Sequence, residues 1–227
     1  MRSYLKYLVY LYVFAWLSAA QAGSYEDFFR AVVSDNPRVI EALVGRGFDP
    51  NAVDPRGQPA ILRALQAESY QAALALARLP GTQVDIRNAA GETPLAMAAL
   101  KGEMAVMHAL LERGAAIDPP GWTPLHYAAA GDALPAVRLL IGRGARLEAR
   151  APGNARTPLM MASLFASEPV IEALLAAGAD PAARDRNGAS AAELAAGAGR
   201  DWLVRRLQRA LDAAARGGPA REATPRP

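Results

Sequence analysis

An all-α solenoid of helix-turn-helix repeats is the fold class this sequence predicts, on three observations. One phrase recurs: Gly121-Trp-Thr-Pro-Leu-His-Tyr-Ala-Ala129 follows Gly91-Glu-Thr-Pro-Leu-Ala-Met-Ala-Ala99 and precedes Arg156-Thr-Pro-Leu-Met-Met-Ala162, with weaker copies at Gly57–Leu65 and Gly188–Ala195. The spacing is nearly fixed: with Pro59, Thr93, Thr123, Thr157 and Ser190 in register, the steps are 34, 30, 34 and 33 residues. Between the phrases an apolar stripe returns at helical period, as Val39, Ile40, Leu43 and Val44, then Val106, Met107, Leu110 and Leu111, and again at Ala136–Ile141 and Val170–Leu175.

The chain opens with Arg2 and Lys6, an uncharged run from Tyr7 to Leu17, and Ser18-Ala-Ala-Gln-Ala22. A charged start, a short apolar stretch and small residues at a cut point are the layout of a secretory signal peptide, so residues 1–22 are expected to be removed after Ala22. The alternative is an uncleaved membrane anchor. Cleavage takes away two basic residues, leaving 23 basic against 22 acidic, and a chain so nearly neutral gives no reason to expect nucleic acid as a partner. With no cysteine, disulfides and thiolate metal sites are excluded.

Six helical pairs follow, at about 25–54, 55–88, 89–118, 119–152 and 153–185, with a cap at 186–214 and a disordered tail at 215–227. The first helices of the three strong copies start with Thr able to cap free amides and Pro at the first helical position, at Thr93-Pro94, Thr123-Pro124 and Thr157-Pro158. Their alanines permit close helix approach. Each second helix is closed by Gly, at Gly47, Gly114, Gly144 and Gly178, whereas Gly81 comes one residue late after Leu79-Pro80. The Asp-, Asn- and Gly-rich segments between pairs read as turn fingers. The finger from Gly114 to Thr123 is three residues shorter than that from Gly178 to Ser190, which predicts a notch, and Pro152-Gly153 in the next finger predicts a compensating bulge. Arg200, Arg205, Arg206, Arg209 and Arg216 read as a solvated polar face on the capping helix.

Period and phrase together resemble the ankyrin-repeat family, with its T-P-L-H-x-A signature, over roughly residues 25–212. The resemblance implies a protein-binding scaffold of about five repeats, monomeric, without cofactor and without enzymatic activity, that engages an unidentified protein through a concave finger and helix face. His126, the histidine of the signature, is implied to be a structural hydrogen-bonding residue. Function in such a scaffold resides at positions the fold does not use. Here these are Gln58, Glu92, Lys101, Trp122, Arg156, Leu164 and Phe165, with Trp122 and Phe165 as aromatic anchors near the notch. The competing reading of the two aromatics is packing: Trp122 folded down as local core, Phe165 under the Pro152 bulge. With export, the expected location is periplasmic or secreted, with no stable membrane insertion after cleavage. Rival functions are a stabiliser of an extracytoplasmic enzyme or envelope assembly, a secreted effector, and a metal-dependent enzyme using His108 and His126 with nearby carboxylates.

Overall fold

The computed structural model describes residues 23–216, with side chains to residue 212, so the expected signal segment 1–22 and the tail from residue 217 lie outside the described residues. Twelve helices make up the described fold. These are α1 (residues 23–33), α2 (Pro37–Gly45), α3 (Ala60–Gln66), α4 (Tyr70–Arg78), α5 (Pro94–Lys101) and α6 (Met104–Glu112). They continue with α7 (Pro124–Ala130), α8 (Leu134–Gly142), α9 (Pro158–Phe165), α10 (Glu168–Ala176), α11 (Ala191–Gly197) and α12 (Asp201–Arg216). Every expected repeat holds one pair, and α12 runs two residues past the expected boundary at 214. The only β pairing among the described residues is a pair of isolated bridges, Val53 with Pro59 and Arg184 with Ser190, at the bases of two fingers. No described helix is long and apolar enough to cross a membrane.

Contacts divide the described residues into two units, 23–98 with Ala105–Ala116, and Ala99–Met104 with 117–216. The first has its core at Phe28, Ile40, Ile61, Leu62, Leu65, Leu76, Met107 and Leu110, all fully buried. Phe28 stacks on Phe48 with ring centroids 4.4 Å apart. In the second unit Leu125, Val137, Leu140, Leu159, Ile171, Leu174, Leu203 and Leu207 are fully buried. Each such side chain contributes about 1.5–3 kcal/mol on leaving water.

Helix ends show why the repeated phrase is what it is. After α2, α6, α8 and α10 a Gly N–H bonds back three residues and the following N–H bonds back five, as Gly144 to Ile141 and Ala145 to Leu140. That double closure needs a left-handed residue, supplied by Gly144 at φ +83° and its three counterparts. The exception is α4, where Leu79 is extended before Pro80. There the Arg113 guanidinium donates to the carbonyls of Ala77, Leu79 and Thr82 at 2.8–3.0 Å, replacing the missing turn with a side chain from the next repeat.

Several first helices start on an oxygen cap that varies with the residue three positions on, whereas α3 follows Pro59 with no side-chain cap. Thr93 Oγ1 accepts from the Ala96 N–H at 3.3 Å and Thr157 Oγ1 from the Met160 N–H at 3.3 Å. Ser190 and Glu193 complete a reciprocal capping box, with the Ser190 N–H donating to Glu193 Oε2 at 2.6 Å. The Ser190 N–H and hydroxyl hold the Glu193 carboxyl below its ordinary range.

A ladder that the sequence reading did not foresee ties neighbouring repeats. The side chain four residues after each closing Gly accepts from the backbone N–H two residues after the next one. The pairs are Asn51 with Gln83, Asp85 with Ala116, Asp118 with Arg146 and Glu148 with Asp180, at 2.7–3.0 Å. Asp35 and Asp132, both left-handed after a first helix, do the same at the other end, accepting from Ala72 and Ser167 N–H. Each rung gives an otherwise orphaned loop or helix-start amide an anionic or amide acceptor.

Candidate functional site

Three of the fingers are small hairpins built on one Asx residue each. Asp54, Asn88 and Asp185 accept two backbone N–H groups through Oδ1, from residues two and four further on, and Gly57, Gly91 and Gly188 close the turns. Burial pushes the Asp185 carboxyl up, but the N–H groups of Ala189 and Asn187 and the Arg156 guanidinium outweigh it and leave its pKa below the ordinary value. The shortened finger keeps Asp118 five residues before Thr123 and Gly121 two before it, so its three missing residues lie at the base. Asp118 therefore serves as ladder acceptor where the other fingers use separate residues for rung and turn. Pro152 of the bulge leans over this finger, its Cγ 3.9 Å from where a Cβ on Gly121 would stand.

His126 is wholly buried and joins two repeats. Its Nδ1 lies 3.2 Å from the Thr123 N–H nitrogen and 2.8 Å from Thr123 Oγ1, while Nε2 lies 3.0 Å from the Arg156 carbonyl. A carbonyl only accepts, so Nε2 carries the proton and Nδ1 receives the Thr123 N–H. Both ring nitrogens are thereby engaged, leaving neither for a metal or a catalytic proton transfer. Burial pushes its pKa down, against the raising effect of the Arg156 and Ala149 carbonyls and the more distant Asp118. Unfolding releases an imidazole that takes a proton below pH about 6.5. The unfolded state then binds more protons than the native one, so stability is full above that pH and falls as pH drops through it, by up to about 1.4 kcal/mol per pH unit. Urea unfolding at pH 7.5 and 5.5 should show this loss in the parent and a smaller one in His126→Gln. Equal losses would assign the pH dependence to another group.

Trp122 is half-buried, its ring edge-on to His126 at 5.4 Å and to Tyr127 at 6.2 Å. Arg156, also half-buried, reaches Asp185 at 3.5 Å. Trp122, His126, Arg156 and Asp185 thus form one run along the finger end of the second unit. Phe165 closes α9 eight helical residues beyond Thr157, about 12 Å along the axis, and so stands at the other end with Asp132 and Ser167. It is 61% exposed, which removes the reading that it packs under Pro152, and Leu164 beside it is half-buried. The two expected aromatic anchors are therefore separate. Lys101 is exposed at the end of α5, and His108 is exposed on α6. Glu92 and Gln58 are half-buried in fingers of the first unit, Glu92 accepting from Asn88 Nδ2 at 2.7 Å.

The capping helix departs from a simple solvated face. Arg200 bonds the carbonyls of Ala162, Ser163 and Ala166, and its guanidinium carbon stands 5.3 Å from the Trp202 ring centroid. Arg206 clasps both oxygens of Glu172, which raises its already high pKa. Trp202, 39% exposed on this helix, escaped the sequence reading. A tryptophan beside the apolar stripe of a helix with a polar outer face was the signal for it. Among the described residues no three histidine, aspartate or glutamate side chains gather in a group that could hold a metal.

Family models for ankyrin repeats in three copies match residues 28–117 and 64–151, and a single ankyrin-repeat model matches 154–186. The chain belongs to the ankyrin-repeat family. Its relatives include the B-cell lymphoma 3 protein homolog of Mus musculus, 34% identical over 66% of this chain and 35% of that protein. Protein PhlB of Serratia liquefaciens is 40% identical over 44% of this chain and 45% of its own length. The chain thus spans less than half of either relative. Among solved structures, the ankyrin repeat domain of Bcl-3 superposes with a TM-score of 0.67 at 26% identity, covering 81% of this ankyrin-repeat chain and 85% of that one. An ankyrin repeat domain from Acinetobacter baumannii AYE gives 0.68 at 23% identity, with 81% and 96% covered. Ankyrin repeats typically serve as protein–protein interaction scaffolds.

Proposed function

We propose that this ankyrin-repeat chain is an exported scaffold that holds a protein partner on its fingers and on the exposed ends of its first helices. Phe165 and Leu164 act as apolar anchors at one end of the second unit, and Trp122 and Arg156 offer a fixed contact surface at the other. The observation that carries this reading is Phe165. Every residue of α9 from Pro158 to Ser163 is buried, yet the helix ends in a large aromatic that is mostly in water. An exposed phenylalanine contributes little to folding, and aromatics at such positions supply much of the energy of protein interfaces. The Trp122 ring, braced against His126 and Tyr127, loses little freedom on contact. Export rests on the composition of residues 1–22, and the mature chain begins at Gly23.

The test is a pull-down from the extracytoplasmic fraction with the parent chain and with Phe165→Ala. The parent should retain a partner that the variant loses by about tenfold or more, a deletion of hot-spot size, while urea unfolding of the two stays within about 0.5 kcal/mol, as for a surface change. Equal retention would remove Phe165 as an anchor. N-terminal sequencing of the exported chain should read from Gly23.

A further inference from the structure

In the first unit, the finger hairpin at 54–58 and the outer edge of α3 enclose a cleft of about 360 Å³ lined by Asp54, Arg56, Gln58, Arg63 and Gln66. Local structure brings these side chains together. α3 buries Ala60, Ile61, Leu62, Ala64 and Leu65, which leaves Arg63 and Gln66, three residues apart, on the single face turned outward. Asp54 Oδ1 accepts the N–H groups of Arg56 and Gln58 at 2.8 and 2.9 Å, and this holds the hairpin so that Gln58 lies against the helix.

Four of the five lining side chains carry N–H donors. The one carboxylate, Asp54, is committed through Oδ1 to the backbone and faces Arg63 Nε through Oδ2 at 3.9 Å, too far for a hydrogen bond. Two arginines against one aspartate leave the cleft with a net positive charge. Gln58 Nε2 is shut away from solvent and has no hydrogen-bond partner. A buried amide donor left unpaired costs stability, and an apolar side chain of the same shape would not incur that cost. The fold gains nothing from the amide, whereas an arriving acceptor would.

We propose that this cleft receives the carboxylate of an aspartate or glutamate side chain of the protein partner. On binding, the Gln58 side chain turns so that Nε2, with the Arg63 guanidinium, donates to its oxygens, and Arg56 adds charge at the rim. The inference rests on the protein-binding reading and names the chemistry of one contact within it.

The test selects short random peptides displayed on phage against the immobilised full chain, followed by titration calorimetry of the enriched peptides. Those peptides should share an acidic residue. Its change from Glu to Gln, and Arg63→Met in the protein, should each weaken binding about tenfold, and the two together should cost little more than either alone, the mark of a direct pair. Gln58→Met should also weaken binding while its thermal midpoint stays equal to or above the parent's, the reverse of what a structural glutamine would give. Peptides bound at full strength by both variants would overturn the cleft while leaving the scaffold reading in place. A library that yields no binder would overturn both.

Discussion

Gly131→Ala is expected to destabilise the protein by about 3 kcal/mol, the upper range for forcing a group into a packed site. Gly131 has φ −83° and caps the end of α7, a conformation any residue adopts. On backbone entropy alone the change should stabilise by about 0.4–1 kcal/mol. Packing reverses the sign. A Cβ there would overlap the Leu100 carbonyl oxygen and stand 2.9 Å from its carbon and 3.1 Å from its Cα. These are backbone atoms at the end of α5, which cannot swing aside as a side chain would. The close approach is what the alanine-rich first helices make possible, with Ala128 and Ala129 fully buried. Gly142→Ala is the matched control, since Gly142 ends α8 with nothing within 4 Å of its virtual Cβ. Urea unfolding followed by circular dichroism should show a large loss for the first variant and none for the second. Similar midpoints for the two would sink the close-approach argument.

The helical pairs were legible because their signals are demands of the backbone. Pro at a first helical position, Gly where φ must be positive and a stripe at helical period each admit few residue types. The inter-repeat ladder was not legible for the opposite reason. Its rungs are Asn51, Asp85, Asp118 and Glu148, which share an acceptor oxygen and a distance from Gly but no single residue type. Arg113 and Arg200 were hidden more deeply. An arginine that closes a neighbour's helix looks, in sequence, like any surface arginine, and its partners lie 31–38 residues away.

The candidate site was legible in part. The shortened finger and the bulge are written in spacing, and Pro152 does lean over Gly121. The register placed Phe165 at an exposed position, one shared with Lys101 and Gly131 in the preceding repeats, but no periodicity reveals that α9 runs one residue further than α7. Phe165 and Ala166 occupy the register of Gly131 and Asp132 one repeat earlier. A side chain at 165 forbids the close approach that Gly131 makes, and alanine at 166 disfavours the left-handed turn that Asp132 takes at φ 55°. The helix therefore runs on to Phe165 and stops at an extended Ala166.

That ending makes Arg200 indispensable, and Arg200→Met is expected to cost about 2–3 kcal/mol. The turn that closes the other first helices is absent after α9, so the Ser163 and Ala166 carbonyls face Arg200, which also bonds the Ala162 carbonyl beside the Ala166 N–H. Ala162 and Ser163 are fully buried and Ala166 is 1% exposed, which keeps water from taking the guanidinium's place. Methionine preserves the apolar stem and removes every donor, so the variant isolates the hydrogen bonds from the packing. Arg200→Lys should recover only part of the loss, because an ammonium at one point cannot serve three carbonyls as a planar fork does. Urea unfolding of the parent and both variants gives the order directly: parent, then lysine, then methionine. A methionine variant within about 0.5 kcal/mol of the parent, the range of an ordinary surface change, would mean that the carbonyls find other partners. The end of α9 would then hold itself without help from the cap, and the stability of the last repeat would come from the packing of Leu203 and Leu207 alone.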